Sequence, residues 1–149
     1  MTITVRILGP ADGAVLQHVA PGVFDYPVDA ELSARYLADP RLHLAVAIDD
    51  ESEQVVGMAS GVHYIHPDKP AELWVNEVGV APTHQNRGIG RQTLAVLLAH
   101  GRALGCREAW VLTDYGNAAA RHMYAAAGGI EEHDPVLMIS FALDDDSAQ

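Results

Sequence analysis

Cysteine is almost absent: Cys106 is the only one in 149 residues. No intrachain disulfide can form, which suits a reducing compartment. Cys106 itself reads as a small buried residue rather than a reactive thiol. Basic residues are scarce as well, 9 against 20 acidic, for a formal net charge of −11. That deficit argues against nucleic acid or an anionic membrane surface as a partner. It suits a cationic substrate, and it also serves solubility. No apolar stretch approaches the roughly 20 residues that a membrane-spanning helix needs. The first ten residues, MTITVRILGP, carry neither a basic n-region nor a sustained apolar h-region. No secretory leader is therefore expected, and the default location is cytoplasmic. No cysteine stands near any of the eight histidines. The pair His63-x-x-His66 sits across a strand end, with its side chains expected on opposite faces, so no metal is expected.

What is present is enough to fold. Apolar residues make up 49% of the chain, and its length suits one domain, 1–149, with an acidic tail from about residue 144. Residues 2–8 alternate as a strand and Gly9-Pro10 breaks it. Asp12 is placed to cap a helix running to about Ala20, before Pro21-Gly22. A loop with Phe24, Asp25 and Tyr26 follows. Residues 29–38 read as a second helix, with Leu32, Tyr36 and Leu37 on one face. Strands are expected at 42–48, 54–64 and 72–80, the first two forming a hairpin. A helix is expected from Gly88 to about Leu104, then a strand at 107–112. Asn117 is placed to cap a helix through Ala127, with Gly128-Gly129 as its stop. Residues 136–143 read as a last strand. The order gives an α/β fold with a mixed, mostly antiparallel sheet and helices on both faces.

The organising stretch is Asn76 to Arg91, NEVGVAPTHQNRGIGR. A strand runs into a glycine-punctuated turn and then a helix. Such a turn leaves several backbone N–H groups unpaired at a helix N-terminus, which favours an anion such as phosphate. No Gly-Lys-Ser/Thr follows, so this is not a P-loop, and the spacing is not that of the dinucleotide GxGxxG. An ordinary left-handed helix entry is the plainer alternative.

Gln85-x-x-Gly88-x-Gly90 resembles the Q/R-x-x-G-x-G/A signature of the GNAT superfamily of acetyl-CoA-dependent N-acetyltransferases. Val78-Gly79-Val80-Ala81-Pro82 is similar to that family's strand end. Asn117-x-x-Ala120-x-x-Met123-Tyr124, followed by Gly128, resembles its second signature. One departure is that Gly129 intervenes before Ile130. Asp114-Tyr115-Gly116 with the acidic Glu77 narrows the resemblance to type I aminoglycoside 3-N-acetyltransferases, although Asn117-Ala118-Ala119 stands where those are acidic.

The resemblance implies a sheet splayed between its fourth and fifth strands. It implies acetyl-CoA as cofactor, with Val78, Gly79 and Val80 along the pantetheine arm. Gln85, Asn86, Arg87, Gly88, Ile89, Gly90 and Arg91 would surround the pyrophosphate, and Asn117 would touch the arm or only cap its helix. Tyr124 would serve as the acid for the leaving thiolate. Glu77 and Asp114 would be the candidate bases, and Asp25, Glu77, Asp114 and Tyr115 would face the acceptor. Simple surface charge, core packing or turn formation is the competing role for each. The implied acceptor is an aminoglycoside amine, at its 3-amino group, attacked directly in a ternary complex. A peptide amine or polyamine is the alternative acceptor, and a non-catalytic acyl-CoA sensor the alternative class. The resemblance also allows a homodimer.

Overall fold

The computed structural model describes residues 2–144. The acidic tail expected from residue 144 therefore lies, beyond Asp144, outside the described residues. Among the described residues, five strands form one sheet in sequence order: β1 (Ile3–Ile7), β2 (Leu42–Asp49), β3 (Gln54–His66), β4 (Lys69–Val80) and β5 (Glu108–Val111). The first four are antiparallel neighbours, and β5 runs parallel to β4. Among the described residues, three α-helices complete the fold: α1 (Ala30–Ala38), α2 (Ile89–Ala103) and α3 (Ala118–Ala126).

The sheet opens where it was expected to. β4 pairs with β5 only from Glu72 to Val75, opposite Glu108 to Val111. Beyond that point β5 has ended while β4 continues to Val80. The far part of β4 thus keeps one edge of its backbone without a strand neighbour. A register shift between Ser60 and Gly61 sets Asn76 aside from the β3–β4 pairs. It restarts the alternation of β4 just before Glu77.

Burial follows the alternation of the strands. Val46, Val56 and Met58 pack with Leu16 and Leu37 from the 3-10 turn and α1. Ala45, Ala59, Leu73 and Val75 pack with Leu94 and Leu97 of α2. These two layers are the helices expected on both faces. Asp29 caps α1 by accepting from the Leu32 amide at 2.8 Å. Asn117 caps α3 by accepting from the Ala120 amide at 3.1 Å. Each cap satisfies one donor that the helix cannot.

Three expectations need correction. Residues 12–20 do not form an α-helix; only a 3-10 turn spans Gly13–Gln17. Asp12 is already engaged, accepting from the Gly9 amide at 2.6 Å and pairing with Arg6 at 3.2 Å. The chain after it is then drawn out by two backbone bonds to Val55, from Ala20 at 2.9 Å and to His18 at 2.8 Å. Second, Leu32 faces solvent, while Leu37 is buried. Third, residues 136–143 join no strand. Their large apolar side chains stand exposed, so the alternation there has nothing to alternate against within the chain.

Candidate functional site

The turn between β4 and α2 is built by short local bonds. Ala81 donates its amide to Val56 O at 2.8 Å, and His84 donates its amide to Ala81 O at 2.8 Å. The His84 ring donates from Nε2 to Asp49 Oδ2 at 3.0 Å and accepts from the Thr83 hydroxyl at 2.8 Å. That bond, together with the Glu51 amide, holds the Asp49 carboxyl below its usual range. The turn is thereby tied to the β2–β3 hairpin. The Gln85 side-chain amide donates back to Val80 O at 3.3 Å, closing the loop on the strand it leaves.

Two residues then take the left-handed conformation, Asn86 at φ 62° and Gly88 at φ 76°. Glycine adopts that region without a Cβ penalty, and asparagine tolerates it. Gly88 stands at the cap position of α2 and offers no side chain to the helix. The first amides of α2 therefore have no partner within the helix, and the positive end of its dipole is uncovered. Ile89 is buried and anchors the turn in the core. The Thr93 hydroxyl, itself buried, donates to the carbonyls of Ile89 and Gly90 at 3.0 and 2.9 Å, stiffening the first turn. Arg87 and Arg91 are both at the surface here.

A groove continues from this point between α2 and α3. Its cavity of about 180 Å³ is lined by Arg91, Ala95, Leu98, Arg102, Ala126 and Ala127. Two arginines on an otherwise acidic chain give it positive charge, and the alanines keep it open. Uncapped amides, an open β4 edge and a basic groove fit a long anionic thioester such as acetyl-CoA.

Around the opening of the sheet stand the other expected residues. Glu77 lies on β4 just past the last β4–β5 pair, opposite Ser60, and is exposed. Asp114 lies just past the end of β5 and is exposed; its carbonyl accepts from the Asn117 amide at 2.9 Å. The topology thus brings both carboxylates to the place where the strands part. Tyr124 is half-buried against the α2 layer, and burial raises its phenol above the usual value. Asn117 is committed to its cap. Val78, Gly79 and Val80 are partly covered. Asp25 stands exposed in the loop before α1. Tyr115 is exposed, with the Arg121 guanidinium 4.3 Å from its ring centre. Arg121 also donates to Tyr115 O at 3.0 Å and to both oxygens of Glu131 at 2.7 and 3.0 Å.

Two features were not visible beforehand. Tyr36 donates to His43 O at 2.6 Å, and its phenol is pushed up to about 12, chiefly by burial, with the Glu77 carboxylate adding to the effect. A tyrosine in an amphipathic helix gives no sign of such a neighbour. Histidines that look scattered in sequence also meet. His43 Nε2 is 2.6 Å from His63 Nδ1, and His43 Nδ1 is 3.1 Å from His100 Nε2. His43 and His63 lie on adjacent antiparallel strands, so only the hairpin register could have revealed them. Cys106 is partly buried, and burial raises its thiol, as a packing residue requires.

The profile of the Acetyltransferase (GNAT) family matches residues 16–128. The chain belongs to the GNAT acetyltransferase family. It is 34% identical to a mycothiol acetyltransferase of Tsukamurella paurometabola, over 89% of this chain and 49% of that one. It therefore spans about half the length of this curated relative. Among solved structures, it is similar to an aminoglycoside acetyltransferase from an uncultured soil metagenomic sample in complex with sisomicin. That likeness has a TM-score of 0.77 and 15% identity, and covers 95% of this chain and 97% of that one. It is also similar to AAC(6')-Iy in complex with the bisubstrate analog CoA-S-monomethyl-acetylneamine. There the TM-score is 0.73 at 21% identity, with 95% and 99% covered. At such identities the two structures speak for the fold.

Proposed function

We propose that this GNAT chain transfers acetyl from acetyl-CoA to an amine of a polycationic small molecule, an aminoglycoside, by direct attack in a ternary complex. The observation that carries this reading is the uncapped start of α2. It opens onto the basic α2–α3 groove on one side and the unpaired edge of β4 on the other.

Acetyl-CoA, when bound, supplies the activated acetyl group. Amides of residues 87–91 hold the diphosphate, with Arg91 adding charge. The backbone of Val78 to Val80 receives the pantetheine arm as an added strand. An amine with a lysine-like pKa of about 10.4 is neutral in roughly one part in 2,500 at pH 7, a penalty of about 4.6 kcal/mol. Glu77 or Asp114, both placed at the opening, takes up that proton directly or through water. The Tyr124 hydroxyl keeps its own proton at neutral pH, because burial raises its pKa, and presents it to the leaving sulfur. Asp25 and Tyr115 border the acceptor side, where negative charge suits a cation.

The sequence resemblance favours the 3-amino group as the site of attack. The mycothiol acetyltransferase relative favours a second reading, in which a different small amine is the acceptor. Thiol release from acetyl-CoA, followed across aminoglycosides, polyamines and peptides, tests both. Turnover with aminoglycosides is expected, with product mass spectra and NMR showing which nitrogen carries the acetyl. Turnover with another amine alone would replace the acceptor, and cofactor binding without turnover would leave a sensor.

A further inference from the structure

We propose that the stacked pair Trp74–Trp110 selects the acceptor, by receiving the second ring of a polycationic, multi-ring amine whose reacting nitrogen lies where β4 and β5 part. The inference rests on the acetyl transfer proposed above and adds what shape the acceptor must have. The two indoles are direct cross-strand neighbours in the β4–β5 register. Their ring centres are 4.9 Å apart and their planes 12° from parallel.

The pair stands on a face that the fold leaves uncovered. Leu73 and Val75, on either side of Trp74, are buried in the α2 layer, so Trp74 points to the opposite face. It is 36% exposed there. The helix on that side, α1, packs against β2 and the 3-10 turn, and β2 is two strands away from β4. An aromatic pair that only filled a core would be sealed by a second layer. Each indole covers one face of the other. The remaining face of Trp110 therefore looks away from β4, over the edge of β5 that has no strand neighbour among the described residues. An exposed indole face suits the apolar face of a saturated ring, and it attracts an ammonium set over it.

The carboxylates around the pair give the sign of the occupant. Glu72 and Glu108 lie opposite each other in the register, before the indoles and on the same face. Like charges opposite each other on neighbouring strands repel. Glu72 has the His66 ring 4.0 Å away, and Glu108 is exposed. A cation beside them offsets that repulsion. Past the indoles, Glu77 and Asp114 follow at the opening. Glu77 is on this face too, since its charge reaches the Tyr36 phenol of α1.

Spacing sets the size of the occupant. Glu77 comes three residues after Trp74, about 10 Å along an extended strand. An amine reacting beside Glu77 reaches the indoles only through a second linked ring. A single aminocyclitol leaves the indoles bare. A linear polyamine reaches them and brings no ring face to stack.

Trp74 and Trp110 are the only tryptophans of the chain, so indole emission reports this pair alone. Titration of the full chain with neamine, a two-ring polyamine, is expected to change that emission saturably. Its single-ring part, 2-deoxystreptamine, and linear spermidine are expected to leave it unchanged. In thiol-release assays, kcat/KM for neamine should exceed that for 2-deoxystreptamine by about tenfold or more. Trp110→Leu should raise KM for neamine about tenfold, with KM for acetyl-CoA within about twofold as the sign of an intact fold. Trp110→Phe should recover part of the loss. Turnover of neamine with emission unmoved would overturn the platform and leave the acetyl transfer standing. Equal kcat/KM for one ring and two would do the same, as would an unchanged KM for neamine in Trp110→Leu. No turnover with any amine would instead overturn the acetyl transfer, and the platform as its selector with it.

Discussion

Gly90 of α2 and Met123 of α3 are in direct contact: a methyl group placed on residue 90 would stand 2.9 Å from Met123 Sδ and 3.3 Å from Val80 Cγ2. The two signature stretches therefore meet through a glycine, at the level of β4. The variant Gly90→Ala must displace the Met123 side chain and crowds Val80, at the seam between α2 and the helix that carries Tyr124. Overpacking of this kind costs about 1–2 kcal/mol. Chemical denaturation is expected to show that loss, and steady-state kinetics a raised KM for acetyl-CoA. If both quantities match the wild type, the contact does not set the position of α3.

Tyr124 packs its ring against the α2 layer while burial raises its phenol. Tyr124→Phe keeps the ring and removes the proton. As a general acid its loss is expected to lower kcat by at least about tenfold. Affinity for acetyl-CoA, read by calorimetry, should stay within about twofold. An unchanged kcat would leave Tyr124 as a packing residue.

Asn117 serves α3 through its side-chain oxygen, and α3 has little burial to hold it otherwise. Asn117→Ala is expected to cost about 1 kcal/mol, and Asn117→Asp to restore most of it, since the carboxylate also accepts. Thermal unfolding of the pair checks the cap. A cofactor contact would appear separately, as a KM shift in Asn117→Asp with stability restored.

The strands and the long helices were legible because alternation and helical spacing were unobstructed from Leu42 to Ala103. Asn117 and Asp29 were legible as caps from residue type and position alone. The opening of the sheet was legible only through resemblance, since no local pattern says where two parallel strands part. Residues 12–20 misled because Asp12 had a nearer partner in the Gly9 amide, and because Val55, far along the chain, competed for the backbone of His18 and Ala20. Residues 136–143 were read as a last strand from their apolar, β-prone composition, and the structure forms none there, since composition does not say whether a sheet edge comes within reach. Glu77 and Asp114 were singled out from where strands end, and the topology puts both near the end of the β4–β5 pairing; whether either takes a proton is a matter for pH profiles of each variant.

His43 has both ring nitrogens engaged, by His63 and by His100, and its backbone carbonyl accepts from Tyr36. A neutral ring has one N–H, so it donates to one neighbour and accepts from the other. Protonation would give it two donors and place a cation between two imidazoles. Burial is the main reason its pKa falls from 6.5 to about 4; the charges of His100 and His63 add to it, and Asp39 opposes it weakly. His100 is lowered by burial in the same sense. The unfolded chain therefore binds more protons than the folded one between those limits. Stability is expected to be level above pH 6.5, to fall as pH drops toward 4, and to level off again for this group below that. The loss is on the order of 1–2 kcal/mol once solvent screening is allowed for. Asp49 acts in the same direction over a lower window: its depressed pKa makes its contribution fade only as pH falls below the ordinary carboxylate value of 3.8, so the two can be separated. Urea denaturation at pH 7 and pH 5 reads the first effect, and His43→Gln is expected to flatten the difference. A wild-type protein equally stable at both values would show that His43 is already hydrated in the folded state.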